Sequence, residues 1–463
     1  MNIKLLRTIF CIGLLSVNIN ATSLRDTVEK TINTNPDIIA EHFNKKAFKT
    51  NIDEQQRDYY PTLDFSGYVE ESETKYNLDD DSKQDGKKNG WNATLKFEQV
   101  LYDGGLTPNE IEEFKHRYYN IKYTSKEKVE ALILEIVNTY TKLVLSQELI
   151  ALDNFKIKIH ENYLVLAKEK EEISGEILDW YQVSSKIKAI MDNYLEQEVK
   201  QQRTLSTYKK LTGSELEGNI CRPILDEKLI PQTVEEAIEI ALRKNNTIRA
   251  QHELIREQKS RMNAEQAKFR PDLKLQVEGD WDNDIAEAEN GQRDIYRVRV
   301  QSDWNLYNGG KDTVSTQREK ILILKEKKIL DAIKNNVIDE IKGSYNTYFK
   351  IKKKIKNLKA FNLDNKAIVD IYNQQLEDGS RTFLDLLNAE AELFRTKVLQ
   401  KETEFLLYDE YYNLLKSLDM LSDSILTQNN QECVKYSFND SMLVLKKDEN
   451  QSEDDLASEL GLD

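Results

Sequence analysis

The sequence predicts an α+β membrane protein made of two copies of one unit, each giving part of a membrane-spanning barrel and part of a long helical tube. Three observations carry this. One odd pentapeptide occurs twice, as LYDGG at 101–105 and LYNGG at 306–310. Four segments alternate apolar and polar residues. Two long stretches rich in Leu, Lys, Glu and Ile run with almost no proline or glycine.

The composition agrees. Of 463 residues, 32% are charged and 39% hydrophobic, which suits thin elements sharing narrow seams rather than thick globular cores. A formal net charge of −15 repels phosphate backbones and counts against nucleic acid as a partner.

The chain opens MNIKLLRTIFCIGLLSVNINATS. Lys4 and Arg7 precede an apolar run, Leu5 to Val17, that is too short to span a bilayer as a helix, and Ala21 is a plausible last residue before cleavage. Residues 1–21 are read as a secretory signal peptide. After cleavage only Cys221 and Cys433 remain. In an oxidising periplasm they form one disulfide or stay as two thiols, and both readings stand.

The repeat has a fixed offset. NPDI at 35–38 and NNTI at 245–248 lie 245 − 35 = 210 apart, as do Pro61 and Pro271. The pentapeptides lie 306 − 101 = 205 apart, so one loop differs in length by five residues. At that second offset Ile133, Glu135, Ile136, Tyr140 and Ile150 recur as Ile338, Glu340, Ile341, Tyr345 and Ile355. Such separated identities mark an internal duplication.

Each copy carries two alternating runs. Leu63, Phe65 and Val69 oppose Asp64, Ser66 and Glu70. Trp91, Ala93, Leu95 and Phe97 oppose Asn92, Thr94, Lys96 and Glu98. In the second copy Leu273, Leu275, Val277 and Trp281 oppose Lys274, Gln276, Glu278 and Asp280. The run 296–306 sets Tyr296, Val298, Val300, Trp304 and Leu306 against Arg297, Arg299, Gln301, Asp303 and Asn305. A period of two makes one face apolar and the other wet, the pattern of an outer-membrane barrel with aromatics near strand ends. Four strands cannot close a useful barrel, and lipid tolerates no open edge. The reading therefore requires several copies, and three would supply twelve strands. The joining segments 77–90 and 283–293 are polar and are expected to be loops, with Asp79 to Asp81 solvated.

The helical stretches come next. Val129, Ile133, Ile136, Tyr140, Leu143 and Ile150 keep three-four spacing. A continuous helix over 111–173 would be about 95 Å long. The segments EISGEILDW (171–179) and LEDGSRTFLDLLNAE (376–390) are the expected reversals between antiparallel helices, which then run back to KKLTG (209–213) and LKSLDML (415–421).

These features together resemble the TolC-like outer-membrane efflux and type I secretion channels over about residues 24–425. The resemblance rests on the early NP, the later YP, the LYDGG and LYNGG turns, the G-x-R-T-x-x-D-x-L turn at 379–387 and the LTG ending. It implies a homotrimer with a twelve-stranded barrel in outer-membrane lipid and a helical periplasmic tunnel. The channel would be opened at its tip by a periplasmic adaptor and an inner-membrane transporter. Domains follow from it: a first N-terminal helix at 22–60, a β-hairpin at 61–103, a helical hairpin at 104–213 and a linker at 214–231. The second copy has a helix at 232–270, a hairpin at 271–308 and a helical hairpin at 309–421, with an equatorial segment and acidic tail at 422–463. By the same resemblance the periplasmic gate uses Asp179, Arg381 and Asp385. Two further gate positions of some members fall on neutral Asn388 and on Leu376.

An enzyme reading finds no support in the residues. The four histidines lack metal-ligand spacing, and neither a phosphate loop nor a nucleophile elbow occurs. No cofactor is expected. Two alternatives remain: a periplasmic adaptor, which should contain a lipoyl-like β module and a longer soluble barrel that the sequence does not show, and a structural coiled coil, which leaves the membrane-type strands unexplained.

Overall fold

A computed structural model describes residues 22–74, 86–216, 220–285, 291–427 and 432–433. Residues 1–21, expected to be a signal peptide, Asp79 to Asp81 and nearly all of the acidic tail lie outside the described residues. In order the elements are α1 (Leu24–Thr34), α2 (Pro36–Gln56), β1 (Thr62–Thr74), β2 (Gly86–Tyr102), α3 (Leu106–Ser174), α4 (Leu178–Thr212) and β3 (Cys221–Arg222). Then come α5 (Val234–Lys244), α6 (Asn246–Ala267), β4 (Asp272–Asn283), β5 (Gln292–Asp303), α7 (Lys311–Glu377), α8 (Phe383–Ser417), α9 (Leu421–Thr427) and β6 (Glu432–Cys433). They form two compact units, one of residues up to 39, 129–241 and 339 onward, the other of 40–128 and 242–338.

In the second unit four strands form one antiparallel sheet in the order β1-β2-β4-β5. The register places Phe65 opposite Leu95, Phe97 opposite Val277, and Val277 opposite Val298, so the alternating runs make one apolar face. That face stands exposed at Leu63, Phe65, Val69, Val298 and Val300. The strand edges differ from the sequence expectation in several places, and β4 and β5 reach into the expected loop 283–293 at Asn283 and Gln292. β2 begins at Gly86, inside the expected loop 77–90, because Lys87 lies opposite Glu73 and opposite charges on adjacent strands favour pairing. β5 stops at Asp303, so Trp304 and Leu306 lie beyond it. Its partner β4 starts at Asp272 after Pro271, which has no N–H to donate.

The pentapeptide turns join strand to helix. Gly104, Gly105, Gly309 and Gly310 all have positive φ, from 58 to 90°, which a side chain would strain. Gly104 is also crowded, since a Cβ there would meet the Ala267 carbonyl at 2.6 Å. Asp103 caps α3, accepting the Gly105 N–H at 3.0 Å and the Thr107 N–H at 2.6 Å. Beside it, Arg117 and Arg261 clamp the buried carboxylates of Glu113 and Glu257 between α3 and α6.

The expected single helices 22–60 and 232–270 are each two helices. Asn35 ends α1 and its side chain accepts the N–H groups of Asp37 and Ile38, starting a new helix. Asn245 does the same for Thr247 and Ile248. An N-cap asparagine is the physical content of the repeated NPDI and NNTI.

In the first unit the seam residues Ile133, Ile136, Tyr140, Leu143 and Ile150 of α3 are fully buried. The repeated tyrosines pin the inter-repeat linker. The Tyr140 hydroxyl reaches the Cys221 carbonyl at 2.5 Å and accepts the Cys221 N–H at 3.0 Å. Tyr345 donates to the Gln232 carbonyl at 2.7 Å. β3 pairs with β6, and the register sets Cys221 opposite Cys433, with Cys221 disulfide-bonded.

Candidate functional site

The expected gate residues lie at two helix reversals of the first unit. α3 ends where Gly175 turns left-handed at φ 75°, and α4 begins at Leu178. The matching reversal follows α7, where Gly379 has φ 72°. α8 then starts on a capping box in which Thr382 and Asp385 satisfy each other's backbone N–H. The two reversals share an apolar cluster of Ala167, Val183, Phe383 and Leu387, against which Tyr163, Trp180 and Leu376 pack.

Within the single chain the three charges keep local partners. Asp179 receives the Lys170 ammonium at 2.6 Å, and that bond raises the lysine pKa. Arg381 donates to the Gln375 side chain at 2.9 Å, lies 4.5 Å over the Tyr372 ring and stands 4.0 Å from Asp385. Arg381 and Asp179 form no ion pair with each other among the described residues. Arg381 and Asp385 are both substantially exposed.

Sequence reasoning missed a buried polar cluster behind these turns. The Tyr163 hydroxyl lies 2.8 Å from Glu390 and 3.1 Å from Asn373, joining α3 to α8 and α7. Burial lifts the Glu390 carboxyl to about 7 and drops the His160 imidazole, 3.8 Å away, to about 4. Farther along α8, burial, then Lys366 and Lys401, lowers the Lys397 ammonium to about 8, and its nitrogen has no hydrogen-bond partner among the described residues. A signal existed. Leu386, Leu387, Leu393 and Phe394 form a buried seam at three-four spacing, and Glu390 and Lys397 fall in register with it.

No described helix is long and apolar enough to cross a membrane. No group of three or more His, Cys, Asp or Glu side chains suited to a metal occurs among the described residues.

The family model described as outer membrane efflux protein matches residues 27–214 and 237–417, most of both repeats. The chain belongs to the outer membrane efflux protein family. Solved structures agree in fold. The channel CusC superposes with a TM-score of 0.75 at 13% identity, covering 85% of this chain and 91% of its own. The CmeC outer-membrane channel of Campylobacter jejuni gives 0.74 at 14% identity, covering 93% and 96%. The outer membrane protein VceC of Vibrio cholerae gives 0.72 at 15% identity, covering 85% and 95%. No curated protein sequence matches the chain. Membership makes the chain a passive channel of the Gram-negative outer membrane, not an enzyme, with the long helices as its periplasmic extension.

Proposed function

We propose that the chain is the exit duct of a tripartite export system. It works as a homotrimer whose twelve strands seal a pore in outer-membrane lipid. A periplasmic adaptor and an inner-membrane transporter open it at the helix reversals and supply the energy. The observation that carries this reading is the exposed apolar face of a sheet with two open edges. Water disfavours that face and lipid suits it, but lipid forbids open edges, so further copies must close them. Exposed apolar residues along the helices, among them Leu195, Val199, Ile321 and Leu324, fit the same packing of copies.

Asp179, Arg381 and Asp385 form the gate in this reading. Arg381 links to Asp179 across neighbouring turns in the closed trimer, in competition with Lys170. Three copies of Asp385 around the axis make a negative ring that favours cations. Cys221 and Cys433 are cross-linked, tying the inter-repeat linker to the chain after α9. The cargo is a secreted protein or small toxic compounds, and a type I or multidrug transporter recovered with the channel after cross-linking in cells would decide between them.

Planar-bilayer recording tests the gate. Arg381→Gln is expected to raise single-channel conductance severalfold, and an unchanged value removes Arg381 from the lock. Asp385→Ala is expected to lose most of the preference for potassium over chloride. If the parent shows no such preference, the ring is not at the constriction.

A further inference from the structure

Each of the two charges that the gate would join already holds a partner inside its own helix reversal. At the α3–α4 turn the Lys170 ammonium stands 2.6 Å from Asp179 and 6.0 Å over the Phe383 ring at the start of α8. The Asp179 side chain is largely covered, only 13% exposed. A second acid, Glu176, lies 3.4 Å from the same ammonium. At the α7–α8 turn the Arg381 Nε–H donates to the Gln375 side-chain oxygen at 2.9 Å, and the guanidinium lies 4.5 Å over the Tyr372 ring. Asp385 is 4.0 Å away, but Thr382 already occupies it in the capping box.

We propose that Lys170 and Gln375 are further gate residues, which hold Asp179 and Arg381 in the released state, so that the gate works by exchange of partners. The inference rests on the gate reading above and adds what the two charges bind when the lock is broken. The exchange leaves no charge bare. When Asp179 turns from Lys170 to Arg381, the ammonium keeps Glu176 and the face of Phe383. When Arg381 lets go, it returns to an oxygen and a ring, and Asp179 returns to a cation. Without Lys170 the released Asp179 would be a covered carboxylate with no counterion, which is costly. Partly exposed ion pairs are weak, so the two sets of partners lie close in free energy. A small differential contact at the tip is then enough to shift the population. Gln375 sets the resting side of the balance. A guanidinium binds a carboxylate more strongly than a neutral amide, so Arg381 prefers Asp179 and the gate rests closed.

The test records mean trimer conductance of the full chain in planar bilayers. Gln375→Glu gives Arg381 a carboxylate in its own turn and is expected to raise the conductance by about threefold or more. Gln375→Ala, which only removes the released-state partner, is expected to stay at or below the parent. Adding Lys170→Gln to Gln375→Glu is expected to lower the conductance by about half or more, and Lys170→Arg to leave it unchanged. In an Arg381→Gln background Gln375→Glu is expected to add nothing, which separates partner exchange from a general effect of an added acid. Parent-like conductance in Gln375→Glu, an equal rise in Gln375→Ala, a rise that survives without Arg381, or no loss on adding Lys170→Gln overturns the proposal. Unchanged conductance in Arg381→Gln alone overturns the gate reading itself, a separate and distinguishable result.

Discussion

In the sheet, Leu63, Phe65 and Val69 stand 67%, 73% and 83% exposed, while in the helical unit Ile133, Val137 and Leu143 of α3 are fully covered. The residue types are much the same. The sheet buries little against its own chain and depends on lipid for its apolar face. The helical unit covers its seam with its own helices and also encloses ionisable groups, Glu390, His160 and Lys397, that a membrane-facing wall would not tolerate unpaired. One chain thus answers two solvents. Alternation at period two leaves its apolar half outward, and three-four spacing turns its apolar stripe inward.

The strongest test of this contrast places charge on the outward face. Phe65→Arg with Val300→Arg should cost roughly 2–4 kcal/mol each near mid-bilayer, read as lost insertion into vesicles or outer membranes. Ser66→Arg, one position along on the wet face, should insert like the parent. Equal tolerance at the two positions would mean that the sheet does not face lipid.

A smaller effect is expected in the helical unit. Leu143→Ala removes a fully buried side chain and should destabilise by about 3 kcal/mol, measured by chemical denaturation in detergent. Truncation of the exposed Leu63 should have little effect in the same assay.

The smallest effect concerns pH. Folding raises the Glu390 pKa from the usual carboxyl range to about 7, so the folded chain holds a proton that the unfolded chain releases. Stability from this group is therefore full at acid pH and lost as pH rises through about 7. His160 acts with the opposite sign, because its folded pKa is depressed to about 4 and folding loses stability as pH falls below the ordinary imidazole value. Glu390→Gln isolates the first contribution. Its melting temperature should fall less than the parent's between about pH 5 and pH 8. Parallel curves would show that Glu390 is solvated in the assembled protein.

The repeat, the four strands and the two helix reversals were legible from residues alone. The cues were local: Gly-Gly after an alternating run, asparagine before a helix, and glycine between two seams. Strand ends were less legible. Where β2 starts depends on Glu73 meeting Lys87, and where β5 stops depends on Pro271, both of which are properties of a partner strand. The gate triad was suggested by resemblance to known channels. In the single chain its members bind Lys170, Gln375 and Tyr372, neighbours whose closeness no periodicity reveals.

By itself the sequence determined which faces are apolar and where the chain must turn, because alternation, helical spacing and left-handed glycines act over a few residues. Tertiary structure alone decided which charges are buried and which edges stay open. Burial of Glu390 needs α3 and α7 beside α8, and β1 and β5 become open rims only once β2 and β4 have taken the middle of one sheet.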